Sequence, residues 1–404
     1  MFLHIDFTRR NMSIKLSNRV QSVKPSPTLA ITARAAQMRA AGKDIVGLGA
    51  GEPDFDTPEH IKAAAVQALA KGFTKYTAVD GIPSLKKAII DKFKKDNGLD
   101  YQAKQILVSC GGKQSSFNLT QALLNPGDEV IIPAPFWVSY PDMVLLADGV
   151  PVIIDTTQAQ RFKISPEQLR AAITPKTRLI FINSPSNPSG IAYTLDELKV
   201  LGNVLKEHPN IIIATDDMYE HILWKEGTFV NILNAHPDLY DRTVVMNGVS
   251  KAYSMTGWRI GYAAGPADLI EAMTTVQSQS TSNPTSISQV AAEAALTGDQ
   301  SFIHDMCVEF KQRHDYVVAE LNKIDGIDCM ETDGTFYVFP NVEKLLARLD
   351  GIDDDLAFSE YLIEQAGVAL VPGSAFGTPG HIRISIATSM ANLEKALERI
   401  RNAV

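Results

Sequence analysis

Leu179-Ile-Phe-Ile-Asn183 runs directly into Ser184-Pro-Ser-Asn187-Pro-Ser-Gly190. Four apolar residues with no polar alternation suit a strand buried on both faces, and the polar, proline-rich stretch after them ends it abruptly. The arrangement recurs along the chain. Residues 106–109, 130–133, 152–155, 211–215 and 244–247 form similar short runs rich in β-branched side chains. Between such runs, segments like 113–124 and 194–207 have the length and apolar spacing of crossover helices. This repetition predicts an α/β fold with a mainly parallel central sheet, flanking helices and right-handed crossovers.

The pattern changes after about residue 311, where a long polar helix, a strand-like run at 334–340 and a helix at about 355–365 follow. Residues 56–311 are therefore expected to form a large ligand-binding domain and 312–404 a smaller α+β domain. Residues 24–56 fit neither pattern, and the segment 1–55 is expected to pack with the small domain, which would then be built from both chain ends.

Composition narrows the function. The chain has 404 residues, 45% apolar and 21% charged, which excludes disordered and fibrous classes. Lys and Arg number 38 against 46 Asp and Glu, and the net charge of −8 argues against nucleic acid or an anionic membrane as partner. Cys110, Cys307 and Cys329 are too few and too scattered for a disulfide framework or a zinc site, which points to a reducing cytoplasm. No apolar stretch approaches the roughly 18 residues of a membrane span. Residues 1–10 contain Asp6, Arg9 and Arg10 and do not read as a signal peptide; Met12 offers an alternative start, with 1–11 a dispensable tail.

In open α/β sheets, ligands bind outside the carboxyl ends of the strands. There the sequence places Cys110-Gly111-Gly112-Lys113 ahead of a helix, Asn183 to Asn187, Asp216-Asp217-Met218-Tyr219, and Ser250-Lys251. Glycines at a helix start offer backbone N–H groups and a positive helix end to a phosphate. A phosphate cradle, an amide, a carboxylate and a lysine around one crevice suit pyridoxal 5′-phosphate: the lysine forms a Schiff base, and the carboxylate keeps the ring nitrogen protonated as an electron sink.

Asn183-Ser-Pro-Ser-Asn187-Pro-Ser-Gly190 and Ser250-Lys-Ala-Tyr-Ser-Met-Thr-Gly-Trp-Arg259-Ile-Gly261 resemble the signatures of the fold-type I, class I aminotransferases. Gly51-Glu-Pro-Asp-Phe-Asp-Thr-Pro58, Thr74-Lys-Tyr76 and Pro135-Phe-Trp137-Val-Ser-Tyr140 are similar to the bacterial aspartate aminotransferase branch, which includes aspartate/prephenate aminotransferases. The resemblance covers residues 13–404. It implies that Lys251 carries the cofactor and shuttles the proton, that Asp216 partners the pyridine nitrogen, and that Asn187 and Tyr219 bond the ring oxygen O3′. It further implies that Trp137 stacks on the ring, that Gly111, Gly112, Ser250 and Arg259 surround the phosphate, and that Tyr76 reaches the phosphate of a neighbouring subunit in a homodimer with shared sites. Arg383 matches the clamp for the substrate α-carboxylate and Gly51 a backbone contact to it; a planar guanidinium suits a bidentate carboxylate. In this branch Lys113 matches the group for a second carboxylate, with Lys24 and Thr28 nearby on a segment expected to close over the site. The arginine that the eukaryotic-type branch uses for that carboxylate has no matching motif here. The implied activity is amino transfer between L-aspartate and 2-oxoglutarate; the alternatives are a bifunctional aspartate/prephenate enzyme and a lyase on the same scaffold.

Other motifs fail on context. Gly47-Leu-Gly49-Ala-Gly51 is followed by Glu52-Pro53 and not by a helix, so it is no dinucleotide fingerprint, and Gly111-Gly-Lys113 lacks both the first glycine and the Ser/Thr of a P-loop. Cys110 reads as a small packed residue, and the eight histidines lack ligand spacing, so no metal is expected. A non-catalytic regulator would need an added basic segment, for which the resemblance leaves no room.

Overall fold

The computed structural model describes residues 14–25, 27–224, 227 and 229–404, so the expectations for residues 1–13 lie outside it. In chain order the strands are β1 (Val46–Gly47), β2 (Ile106–Ser109), β3 (Glu129–Pro133), β4 (Val150–Ile154), β5 (Thr177–Asn183) and β6 (Ile212–Asp216). They continue with β7 (Thr243–Gly248), β8 (Gly261–Ala264), β9 (Tyr337–Val338), β10 (Val368–Ala369), β11 (Val371–Pro372) and β12 (Ile382–Ser385).

The central sheet has the order β2-β8-β7-β6-β5-β3-β4. Neighbours from β4 through β7 pair in parallel, while β8 runs antiparallel to both β2 and β7. Six of these strands fall within two residues of the runs read from sequence. The seventh, β8, is Gly-Tyr-Ala-Ala, too short and small to announce itself. Alternate residues of the strands enter different cores: Ile131, Ile180, Ile213 and Val245 face one side, and Val130, Leu179, Ala214 and Val244 the other. Burial on both faces is why the runs lack polar alternation.

Helix ends follow local chemistry. Thr194 caps the helix Leu195–Lys206 and Glu197 returns the bond, so two donors at the helix start are satisfied by side chains. The C-terminal helix Met390–Ala403 is capped by Ser389 and buries Leu393, Ala396, Leu397 and Ile400 on one stripe.

A second core gathers around β9 and β12. Val46 and Leu48 meet Phe310, Phe336, Ile384 and Leu397 there, so segments from both chain ends share it. The long helix Ser301–Leu321 contributes Met306 through Leu321 to this core, and the expected boundary between residues 311 and 312 lies in the middle of that helix. Tyr219 and Ile222, just beyond β6, also pack into the second core, so one loop of the central sheet reaches across to it.

Candidate active site

Asn183 pairs with Asp216 and Asp216 with Met246, so the carboxyl ends of β5, β6 and β7 stand level. The loops that leave them open onto a cleft of about 430 Å³. Of the residues singled out in the sequence, Thr28, Gly51, Gly112, Lys113, Trp137, Asn187, Asp216, Tyr219, Ser250, Lys251, Arg259 and Arg383 line it.

One end of the cleft is a cradle for an anion. Gly111 precedes the helix Gly112–Leu123 at φ 92°, a conformation that favours glycine, and a Cβ there would lie 2.2 Å from Nη2 of Arg259. A Cβ on Gly261 would lie 2.2 Å from the backbone nitrogen of Gly112. Both glycines therefore permit contacts that any side chain would block. The first amides of the helix have no carbonyl one turn earlier to bond, and the Arg259 guanidinium, which donates to the carbonyls of Thr256 (2.8 Å) and Cys110 (3.2 Å), sits against them. Gly111 thus lies behind Gly112, next to the cleft, where it makes room for Arg259.

Lys251 lies in the middle. Its Nζ donates to the carbonyl of Gly51 at 2.6 Å. Burial pushes its ammonium down to about 8, Arg383 adds to the push, and Glu52 opposes it. A lysine amine is nucleophilic and basic only when neutral, so this environment prepares it for both roles. Asp216 accepts from the Tyr140 hydroxyl at 2.5 Å and from the backbone N–H of Met218 at 3.3 Å. Burial lifts its carboxyl above the usual carboxylate range, and the Tyr140 bond works against that lift. Tyr140 itself stacks on Phe181, centroids 4.4 Å apart, and meets Trp137 edge-on at 5.3 Å. Burial also holds Tyr219 well above 10, so it stays a neutral hydroxyl donor.

Arg383 forms the opposite wall. It is 2% exposed, and its Nη1 donates to Oδ1 of Asn187 (2.9 Å) and Nη2 to the carbonyl of Gly49 (2.7 Å). Its Nε is buried without an acceptor, an unusual state for a charged donor and one that suits a carboxylate partner. Lys113 Nζ stands 5.1 Å from the Trp137 ring centroid, and burial lowers its pKa, with Arg259 second.

Two expected residues stand elsewhere. Tyr76 is 92% exposed and lies away from the cleft of its own chain. Lys24 is exposed and does not line the cleft; its backbone N–H faces the Asp142 carboxylate. Conversely, Glu52, Thr256, Met218 and Tyr337 line the cleft unforeseen, and Tyr140 supports it from behind. Glu52 and Tyr140 lay inside the quoted motifs Gly51 to Pro58 and Pro135 to Tyr140, so a signal existed for them; Tyr337 lay in a run read only as a strand.

A histidine–carboxylate group lies outside the cleft, where ligand atoms of Asp96, Glu220 and His221 fall within 4.8 Å of one another. Lys92 already supplies the cation there. It pairs with Glu220, and Asn97 and Asn247 donate to the same carboxylate. Against the upward push of burial, Lys92 first, then His221 and Asn97, hold Glu220 at about 2.

Residues 43–400 match the family described as aminotransferase class I and II. The aspartate/prephenate aminotransferase of Nitrosomonas europaea is 61% identical over 392 residues, covering 96% of this chain and 99% of the relative. The aspartate aminotransferase of Geobacillus stearothermophilus is 51% identical, with 96% and 98% covered. Among solved structures, the aspartate aminotransferase of Rhizobium meliloti superposes with a TM-score of 0.93 at 51% identity, covering 96% of this chain and 98% of the other. That of Thermus thermophilus, solved with maleate, gives 0.91 at 44% identity, with 97% and 100% covered. With identity this high over nearly the full length of both chains, and with a lysine, a carboxylate and an arginine converging on one cleft, this chain belongs to the class I and II aminotransferases.

Proposed function

We propose that the cleft binds pyridoxal 5′-phosphate and that the chain transfers the amino group of L-aspartate to 2-oxoglutarate, giving oxaloacetate and L-glutamate. The observation that carries this reading is a buried lysine, shifted to about 8, sharing one cleft with Asp216 and Arg383. The residues fit the cofactor: Gly111 and Gly261 let the start of a helix and the Arg259 guanidinium come together beside the cleft, a pairing that suits a phosphate, and the buried Arg383 guanidinium on the cleft wall, its Nε without an acceptor, suits a carboxylate.

When bound, the cofactor supplies an aldehyde that captures amines and a protonated ring that takes up the electrons left on the substrate α-carbon. Gly112, Ser250 and Arg259 hold the phosphate. Trp137 would pack on the ring face, Asn187 and Tyr219 would donate to the ring oxygen, and Asp216 would keep the ring nitrogen protonated, which stabilises developing negative charge. Lys251 would hold the cofactor's aldehyde carbon through Nζ, and the same nitrogen would serve as the base for the proton on the substrate α-carbon. Arg383 grips the α-carboxylate that all amino-acid substrates carry, and Gly51 contributes a backbone contact to it. Lys113 takes the distal carboxylate, aided by Thr28 and Lys24 as the N-terminal segment closes and excludes water.

We infer a cytoplasmic homodimer with shared sites. Tyr76 is exposed, as are Val66, Leu69 and Phe73 within ten residues of it in the chain, and a second copy would cover this apolar stretch while Tyr76 reached the partner's phosphate. The reducing environment is supported by three free cysteines, and among the described residues no helix is long and apolar enough to cross a membrane. A fully active monomer in sedimentation at assay concentration would refute the shared site.

The name of the 61% identical relative favours one second reading, use of prephenate as an acceptor. Lys113 offers a point charge without fork geometry, which tolerates a carboxylate on a bulkier acid. The test of both is steady-state assay of one preparation with aspartate against 2-oxoglutarate, prephenate and phenylpyruvate. Turnover with 2-oxoglutarate alone supports the first reading, turnover with prephenate as well supports the second, and no turnover of aspartate sinks both.

A further inference from the structure

We propose that Tyr337 is a positioning residue of this site: it aims the hydroxyl of Tyr219 into the cleft and carries the guanidinium of Arg383 on its ring face. The inference rests on the reading that the cleft holds pyridoxal phosphate and a carboxylate substrate. Tyr337 begins β9, and its partner across the sheet is Ser385 of β12, two residues from Arg383 and therefore on the same face. At 1% exposure it brings together three segments far apart in sequence.

Its hydroxyl oxygen lies 3.0 Å from that of Tyr219, and either can donate. Burial holds both phenols above 10, so two hydroxyl protons are available for one shared bond. Tyr337 has no other side-chain hydrogen bond among the described residues, and a Cβ on Gly51 would stand only 3.0 Å from its oxygen, so glycine there leaves the hydroxyl its place. When Tyr337 donates, Tyr219 accepts and keeps its own proton free for an acceptor in the cleft. That is the orientation a ring oxygen requires. A donor that also receives a hydrogen bond is polarised and becomes the stronger donor.

The second contact concerns the substrate clamp. The Arg383 guanidinium carbon sits 4.4 Å from the Tyr337 ring centroid and 4.9 Å from that of Phe376. Against these rings the guanidinium can pivot little, and it keeps its place on the wall of the cleft. A tyrosine that merely filled the core would need neither contact.

The experiment uses cofactor-loaded wild type, Tyr337→Phe and Tyr337→Leu, with three readouts: the pH midpoint of the bound cofactor's absorbance change, the dissociation constant of the inert dicarboxylate maleate, and the melting temperature. Tyr337→Phe keeps the ring and loses the hydroxyl, so it should raise the midpoint by about half a pH unit or more, because a donor to an anionic oxygen is weakened. Its maleate affinity should stay within about twofold of wild type, since the guanidinium keeps its ring face. Tyr337→Leu should in addition weaken maleate about tenfold. A Tyr337→Phe midpoint equal to wild type overturns the proposal, as does a Tyr337→Leu protein that binds maleate normally. A change confined to melting temperature marks a purely structural tyrosine and has the same force. Should Tyr337→Leu not fold, the Tyr337→Phe midpoint decides alone. A wild-type chain that takes up no cofactor would instead overturn the function proposed above, so the two failures are told apart.

Discussion

Asp216 ends β6, and Asn187 and Lys251 stand on the loops that leave the level ends of β5 and β7, whereas Arg383, Tyr337 and Gly51 reach the same cleft from β12, β9 and the loop after β1. The first wall is set by one sheet with apolar packing on both faces. The second depends on a separate core assembled from both chain ends. The carboxylate of Asp216 and the amine of Lys251 thus rest on a single layer. Substrate capture depends on how that layer meets another body, and three of the hydrogen bonds that join them lie at the cleft: Lys251 to Gly51, Arg383 to Asn187, Tyr219 to Tyr337.

This contrast can be tested by breaking each wall in turn. Lys251→Ala removes both the anchor and the base of the first wall, and aspartate turnover should fall by on the order of 10⁴-fold or more; a variant transaminating at the wild-type rate would leave the first wall without its reagent. Asp216→Ala should lower kcat by about 10²-fold, the scale of losing one preorganised charge. If KM for aspartate moved and kcat did not, Asp216 would belong with substrate capture and the division would fail.

Smaller effects sharpen the comparison. Arg383→Ala should weaken all amino-acid substrates together. Lys113→Ala should penalise aspartate more than phenylalanine, by about tenfold in kcat/KM, because Lys113 is partly in water and its pairing is correspondingly screened. Equal losses on both substrates would move Lys113 to the phosphate side. The mildest test is pH. Lys251 is held at about 8, below the ordinary lysine value, so the neutral amine grows as pH rises through 8. Uptake of pyridoxal phosphate by the cofactor-free chain should therefore quicken about threefold between roughly pH 7.5 and 8.5, following the neutral fraction of that group. A flat profile would mean that the buried amine is not what limits uptake.

The two walls also differed in how far they could be read from sequence. Strands with both faces buried show as unbroken apolar runs, so position points to the stretches just past them, Asn183 to Asn187, Asp216 to Tyr219 and Ser250-Lys251, and the resemblance picks Asn187 and Asp216 within theirs. Nothing local marks Tyr337 or Arg383 in that way. β9 has two residues and β12 four, and their place beside the cleft comes from pairings between distant segments. Arg383 was identified by resemblance, and Tyr337, inside a run read as strand, was not. Tyr140 lay inside a quoted motif, yet its role could not be read there, because it is exerted through Asp216, a partner 76 positions away. β8 was missed because glycine and alanine give no apolar signal, although their smallness is what that strand needs where it passes the cradle.

That passage sets where this scaffold can evolve. At Gly261 the start of β8 lies against the start of a helix some 150 positions away in the chain, and a Cβ would strike the Gly112 nitrogen at 2.2 Å. A single added methyl there would shift the floor of the cleft relative to Lys251, with every functional side chain still present. The rim has no such constraint: Glu52 and Lys113 are exposed. Descendants of this chain that acquire new acids as substrates should therefore carry their substitutions at the rim and retain glycine at 261, so that the range of acids diversifies while the machinery beneath them is inherited unchanged.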